Sequence, residues 1–238
     1  MILPFILLLL GSYLLGSIPT AYIIARRTRG IDIRRYGSGN VGASNVSAVV
    51  SRWWTIPVTF FDLGKGMLVV YLAKLAGLEV YQQILVGMAA IAGHNWPIFL
   101  RFSGGRGILT TVGVIFVLAP WLTLAMLVIA FSFAPFHQLP IGALLALGLG
   151  PLGTWFLAQP FQIDRSFSLS IGFFAVFLLA VVRRLAVPRT ELSTSVPTGE
   201  LLLNRLLFDR DIKDRHKWTK RSPIAANPVK KPIDLSKR

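Results

Sequence analysis

Uninterrupted apolar stretches about as long as a bilayer is thick constrain this chain more than any other feature. The first runs from Ile2 to Ala25 and stops at Arg26, Arg27 and Arg29; others cover about 54–75, 80–100, 108–134, 137–160 and 167–182. The hydrocarbon core is roughly 30 Å thick, so a helix of about 20 apolar residues crosses it with every backbone polar group bonded internally. Only 15% of the 238 residues are charged and 54% are hydrophobic, whereas soluble domains carry about 25% charged residues. A disordered chain, a coiled coil and an ordinary soluble enzyme are thereby excluded. The chain has no cysteine, which removes disulfides, thiolate-held zinc, iron–sulfur clusters and a thiol nucleophile. No carboxylate and histidine cluster points to a metal, and no cofactor is expected.

The net charge of +15 is uneven, with +7 on residues 1–182 and +8 on the shorter 183–238. In so apolar a chain this excess reads as a positive-inside signature and as attraction for membrane lipids or phosphorylated substrates, not for nucleic acid. The first run has its arginines after it, the reverse of a cleaved signal peptide. It is expected to be a retained span with its N-terminus outside. Six runs would leave the basic tail outside as well, against the positive-inside rule. An odd number of crossings resolves this, and the Pro- and Gly-broken 137–160 region is expected to supply the extra one. The expected fold is an all-α, polytopic membrane helical bundle of about seven transmembrane or half-membrane helices over 1–185. A basic, mostly disordered cytoplasmic tail is expected over 186–238, with one amphipathic turn at Leu201–Phe208.

Two loops carry the candidate chemistry. In the first, Gly37, Gly39 and Gly42 interleave with Ser38, Asn40, Ser44 and Asn45, behind Arg34 and Arg35. Glycines let the backbone turn and let amides approach an anion closely, so such a segment suits a phosphate. The same composition also fits a simple turn-rich loop, and the spacing matches neither the P-loop nor the dinucleotide fingerprint. In the second, Gly93-His94-Asn95-Trp96-Pro97 is followed by Gly104, Gly105, Arg106 and Gly107, just before the run that starts at 108. Free amides at a helix start beside an arginine form an anion site. Two crossings separate the loops, which places both on the cytoplasmic face. Asp62 and Lys65 share one helical face within the second span and read as a structural ion pair or a substrate contact. The same counting puts His137 on the opposite face, and His216 in the solvated tail.

These motifs resemble a known family, the bacterial membrane glycerol-3-phosphate acyltransferases that use acyl phosphate as donor, over about residues 1–185. The resemblance rests on Asp32-Ile33-Arg34, Gly37-Ser38-Gly39-Asn40, Gly42 and Ser44-Asn45; on Asp62, Lys65 and Gly66; and on Gly93-His94, Pro97, Phe99-Leu100 and Gly104-Gly105-Arg106-Gly107. The chain resembles a divergent member of that family. The family has threonine at Ser44, arginine at Ala48, and Lys-Gly-Gly-Lys where Ser103 to Arg106 stand here. Its third signature, an Arg-His followed by asparagine, is replaced by Arg183-Arg184 and Val187.

The resemblance implies acyl transfer from acyl phosphate to the 1-hydroxyl of sn-glycerol 3-phosphate, giving lysophosphatidate at the cytoplasmic face of a bacterial inner membrane. Ser38, Asn40 and His94 are the implied catalytic residues: the first two hydrogen-bond the developing oxyanion, and His94 serves if a base is needed. Gly37, Gly39, Gly42, Ser44, Asn45, Gly104, Gly105, Arg106, Gly107 and Lys65 are the implied substrate and phosphate contacts. The other large acyltransferase class places an aspartate five residues after a histidine. Here Phe99, Gly142 and Arg221 stand at that spacing from the three histidines. A non-catalytic lipid- or phosphate-binding paralogue and a transporter of phosphorylated anions are the competing readings.

Overall fold

The computed structural model describes residues 2–157 and 166–220. Helix α1 (Ile2–Gly16) and helix α2 (Thr20–Arg29) form one interrupted span, broken where Pro19 precedes α2. Gly30 ends α2 in the left-handed region, returning its N–H to Arg26, while Arg26, Arg27 and Arg29 complement the carbonyl end of the helix dipole. The first glycine loop and the short α3 (Ala43–Val49) lead to α4 (Thr55–Leu75), and α5 (Val80–Asn95) returns. A reciprocal cap between Glu79 and Gln82 starts α5. The second glycine loop leads into α6 (Ile108–Leu118), then α7 (Pro120–Ser132), α8 (Leu139–Phe156) and α9 (Ser166–Leu185). In the tail follow α10 (Thr198–Phe208) and α11 (Arg215–Thr219).

Among the described residues, five helical segments are long and apolar enough to cross a membrane: 2–29, 55–75, 80–100, 139–156 and 166–185. Helices α6 and α7, of 11 and 13 residues, rise only about 16 and 20 Å. They are half-length arms, so the described residues hold seven transmembrane or half-membrane helices, as expected. The position of the extra crossing differs from the expectation. The 137–160 region holds one helix, α8, despite Pro151. The 108–134 run is the one that breaks, because Pro120 has no N–H to continue α6 and starts a new helix.

Helix α7 then runs back antiparallel to α8, with Gly142 against Ala130, Gly150 against Met126 and Gly153 against Leu122. Arg184, at the end of α9, donates to the Pro140 carbonyl at the start of α8 (2.8 Å). Its neighbour Arg183 donates to the carbonyls of Gly104 and Gly105 (2.8 Å each). The 133–138 turn therefore shares a face with the second glycine loop, so His137 lies on that face and not on the opposite one.

Small residues set how closely the helices approach. A Cβ on Gly16 or Gly93 would strike the facing backbone between α1 and α5, and one on Gly66 or Gly113 would do so between α4 and α6. Such contacts suit a membrane bundle, where close packing replaces the hydrophobic drive. Residues 186–211, part of the tail expected to be mostly disordered, are docked on the end of α9. Buried Arg205 donates to the carbonyls of Leu185, Val187 and Pro188 and pairs with Asp211 at 2.8 Å. Residues 221–238 lie outside the described residues.

Candidate active site

The first loop is shaped by one buried amide. Asn45, 2% exposed, sits on α3 with its Nδ2 donating to the carbonyls of Ile33, Tyr36 and Asn40, and its Oδ1 accepting the Ser38 N–H at 3.0 Å. Expected to contact phosphate, Asn45 uses its polar atoms to fold the loop. Gly37 and Gly39 have φ of 57° and 72°, a region that L residues rarely occupy. A side chain on Gly37 would also strike Asn45 Oδ1. The Ser38 hydroxyl accepts from the Asn40 N–H at 3.3 Å, which holds these two candidate residues together. Gly42 is extended and caps α3, and Ser44 lies on its exposed side. Among the described residues, the amides of Val41, Ala43 and Ser44 donate to no protein acceptor. Behind the loop, Arg34 forks onto Asp32, and this hydrogen bond holds the Asp32 carboxyl below its ordinary range.

The second loop is anchored from both sides. The Gly105 N–H donates to the His94 carbonyl at 3.0 Å, and Arg183 takes the Gly104 and Gly105 carbonyls. In a trans peptide the N–H lies opposite the carbonyl, so the Arg106 N–H faces away from Arg183. Gly107 has φ of 72° and caps α6. A Cβ on Gly104 would strike the His94 backbone and Pro97, and one on Gly107 would lie 2.5 Å from Asn95 Oδ1. The Arg106 guanidinium donates to the Arg183 carbonyl (3.1 Å), and its Nε lies 2.9 Å from Asp209 Oδ1.

The two loops meet. A Cβ on Gly105 would collide with His94 Nε2 and lie 2.5 Å from the Val41 carbonyl oxygen. Arg34 adds a bond from the first loop to the Leu100 carbonyl at 3.3 Å. A cleft opens at this junction, lined by Gly16, Thr20, Val41, Asp62, His94 and Pro97 among others. It therefore reaches the break between α1 and α2. Asn95, fully buried, has neither amide atom partnered among the described residues, and the Thr20 hydroxyl is unpartnered too.

Lys65 was expected among the phosphate contacts, but it faces inward. Its ammonium donates to the Gly16 carbonyl (3.1 Å), to Asp62 Oδ1 (2.9 Å) and to His94 Nδ1 (2.9 Å). An ammonium has three protons and no acceptor capacity, and three acceptors surround it. Nδ1 of His94 must then accept, so the neutral ring carries its proton on Nε2. That N–H points to the Gly105 and Val41 junction and the cleft. His94 is thus a fixed donor, and the base role expected for it does not suit this tautomer. The expected site does not include Asp62, Arg183, Arg184 or Asp209, which the structure places around Lys65, His94 and Arg106. Asp62 was legible through its i, i+3 pairing with Lys65. Asp209 carried no local signal, because its contact is more than a hundred residues away in sequence.

The match to a family model, described as glycerol-3-phosphate acyltransferase, covers residues 6–189. Glycerol-3-phosphate acyltransferase 4 of Dehalococcoides mccartyi (strain CBDB1) is 44% identical over 221 residues, covering 93% of this chain and 95% of that protein. Glycerol-3-phosphate acyltransferase 5 of another strain of that species (ATCC BAA-2266 / KCTC 15142 / 195) is 44% identical over 226 residues, 95% and 97% of the two chains. Among solved structures, the chain is similar to PlsY (YgiH), an integral membrane glycerol 3-phosphate acyltransferase, in its glycerol 3-phosphate form. The TM-score is 0.70 at 26% identity, over 88% of this chain and 94% of that one.

Proposed function

Since the chain belongs to the glycerol-3-phosphate acyltransferase family, we propose that it acylates sn-glycerol 3-phosphate with acyl phosphate as donor, at the cytoplasmic face of a bacterial inner membrane. The junction of two glycine loops at Val41, His94 and Gly105 carries this reading. Both reactants bear phosphate, so their repulsion must be offset, and two amide-rich loops with cations behind them supply that. The acyl chain of the donor suits the membrane side, where the cleft reaches the α1–α2 break. The soluble acceptor suits the aqueous edge, where Arg106 lies under the tail.

In the proposed step the 1-hydroxyl oxygen of glycerol 3-phosphate attacks the acyl carbon and the bond from that carbon to the phosphate oxygen breaks. The hydroxyl proton leaves on the released phosphate, which is the more basic partner at the end of the reaction. No protein base is required, in keeping with the His94 tautomer. The His94 Nε2–H and the Ser38 and Asn40 groups donate to oxygens that gain charge. Holding activated reactants in line supplies much of the rate.

The test gives purified protein acyl phosphate and labelled glycerol 3-phosphate and measures lysophosphatidate. Product that is lost in Ser38→Ala and Arg106→Ala supports the reading. Product from a thioester donor alone refutes the donor assignment, and phosphate binding without product from any donor favours a non-catalytic role.

A further inference from the structure

The candidate phosphate arginine is paired with a carboxylate from beyond residues 6–189, the part that the family model matches. Asp209 ends α10 in the left-handed region, with φ of 55°. Its helix is clamped to the bundle: Arg205 binds three carbonyls around 185–188, Asp211 accepts from Arg205 and Thr190, and Arg184 donates to the Leu206 carbonyl. The fold thus delivers the Asp209 carboxylate to Arg106.

The pairing itself is imperfect. Asp209 Oδ1 lies 2.9 Å from Arg106 Nε, yet this buried oxygen receives no aligned hydrogen bond. The contact is Coulombic, without the directed N–H that makes such pairs strong. The neighbouring cations are better satisfied. Lys65 has three acceptors, Arg34 forks onto Asp32, and Arg183 binds two carbonyls. Arg106 is therefore the cation whose anion is most easily exchanged.

We propose that Asp209 is a tethered competitor that the acceptor phosphate must displace from Arg106, so that it sets how strongly an anion must bind to occupy this arginine. This rests on the reading that Arg106 receives the acceptor. Charge decides which anions still bind. A phosphate monoester carries about two negative charges near pH 7, twice that of a carboxylate or of the phosphodiesters that crowd a membrane surface. A carboxylate held at high effective concentration weakens every anion by the same factor, which leaves a weakly held monoanion unbound while the more strongly held dianion still binds.

The experiment compares full-length wild type with Asp209→Asn in acyl transfer from acyl phosphate, varying glycerol 3-phosphate with and without dimethyl phosphate as a monoanionic probe. The expected result is a KM for glycerol 3-phosphate about fivefold lower in the variant, with kcat within about twofold. Dimethyl phosphate should inhibit the variant at concentrations about fivefold lower than it inhibits wild type. A raised KM would mean that Asp209 orients Arg106, and an unchanged KM that the pair has no part in acceptor binding; either overturns the proposal. Hydrogen exchange on wild type gives a check that needs no variant. Glycerol 3-phosphate alone should speed exchange at residues 209–211, and slowed or unchanged exchange refutes displacement. Wild type that makes no lysophosphatidate refutes the proposed reaction, while the exchange result still decides the role of Asp209.

Discussion

Replacing Lys65 with methionine tests how the site holds His94. The change keeps an unbranched side chain out to the ε position and removes one ammonium that makes contacts of 3.1, 2.9 and 2.9 Å to Gly16, Asp62 and His94. The side chains of Lys65 and Asp62 are 1% and 2% exposed, so water cannot take over the carboxylate, and the ionisable partner left near it is His94, whose Nδ1 lies 3.5 Å from Asp62 Oδ1. Breaking a buried pair in this way costs about 3–5 kcal/mol. In the double variant Asp62→Asn/Lys65→Met both charges are gone, and most of that stability should return, because replacing a whole buried pair is often close to neutral. Activity should not return. Without the lysine donor on Nδ1, the imidazole proton is shared between the two nitrogens and the ring loses its anchor, a misplacement that costs about 100-fold in kcat. Equilibrium unfolding in micelles and acyl-transfer kinetics on the single and double variants give both quantities. A Lys65→Met protein destabilised by less than about 1 kcal/mol, or a double variant with wild-type kcat, would refute the tautomer argument.

Other outcomes follow from the same geometry. Because the chain has no cysteine, single-cysteine labelling in sealed vesicles reads sidedness directly. Ser44→Cys and Phe136→Cys should label from one side and Ala76→Cys from the other; Phe136 labelling with Ala76 would contradict the half-length α6 and α7. Burial works to raise the Asp211 carboxyl, but hydrogen bonds from Arg205, Ser193 and Thr190 outweigh it and hold the group below its ordinary value of 3.8. A depressed carboxyl contributes stability above that value and loses it as pH falls through the folded value. Protection of the amides over 198–211, relative to their intrinsic exchange rates, should therefore fall below about pH 4, and protection unchanged between pH 6 and pH 3 would count against the clamp.

Much of the architecture was legible because the bilayer imposes it. Apolar runs mark spans, and the arginines after Ala25 mark where the first one ends. The reversal at Ala119–Pro120 was hidden because both arms lie in the same apolar surroundings, so composition is continuous across the turn; only Pro120 marked it. The glycine loops were legible as a pattern, and Gly37, Gly39 and Gly107 do occupy the left-handed region. The work of individual residues was less so. Asn45 and Lys65 have the chemistry of phosphate ligands, and what turns them inward is a set of carbonyls and side chains from other segments. Docking of the tail depends on carbonyls at the end of α9 that accept from Arg205, which a local pattern does not encode.

The claim on which the site depends is that the two glycine loops touch, with nothing but hydrogen atoms tolerated at Gly105. The most direct measurement is kcat/KM for acyl transfer in Gly105→Ala, beside Gly11→Ala, whose added methyl meets nothing within 4 Å. The expected result is a folded Gly105→Ala protein with kcat/KM reduced by about 100-fold or more and a Gly11→Ala protein that matches wild type. A Gly105→Ala protein with wild-type kcat/KM would contradict the account.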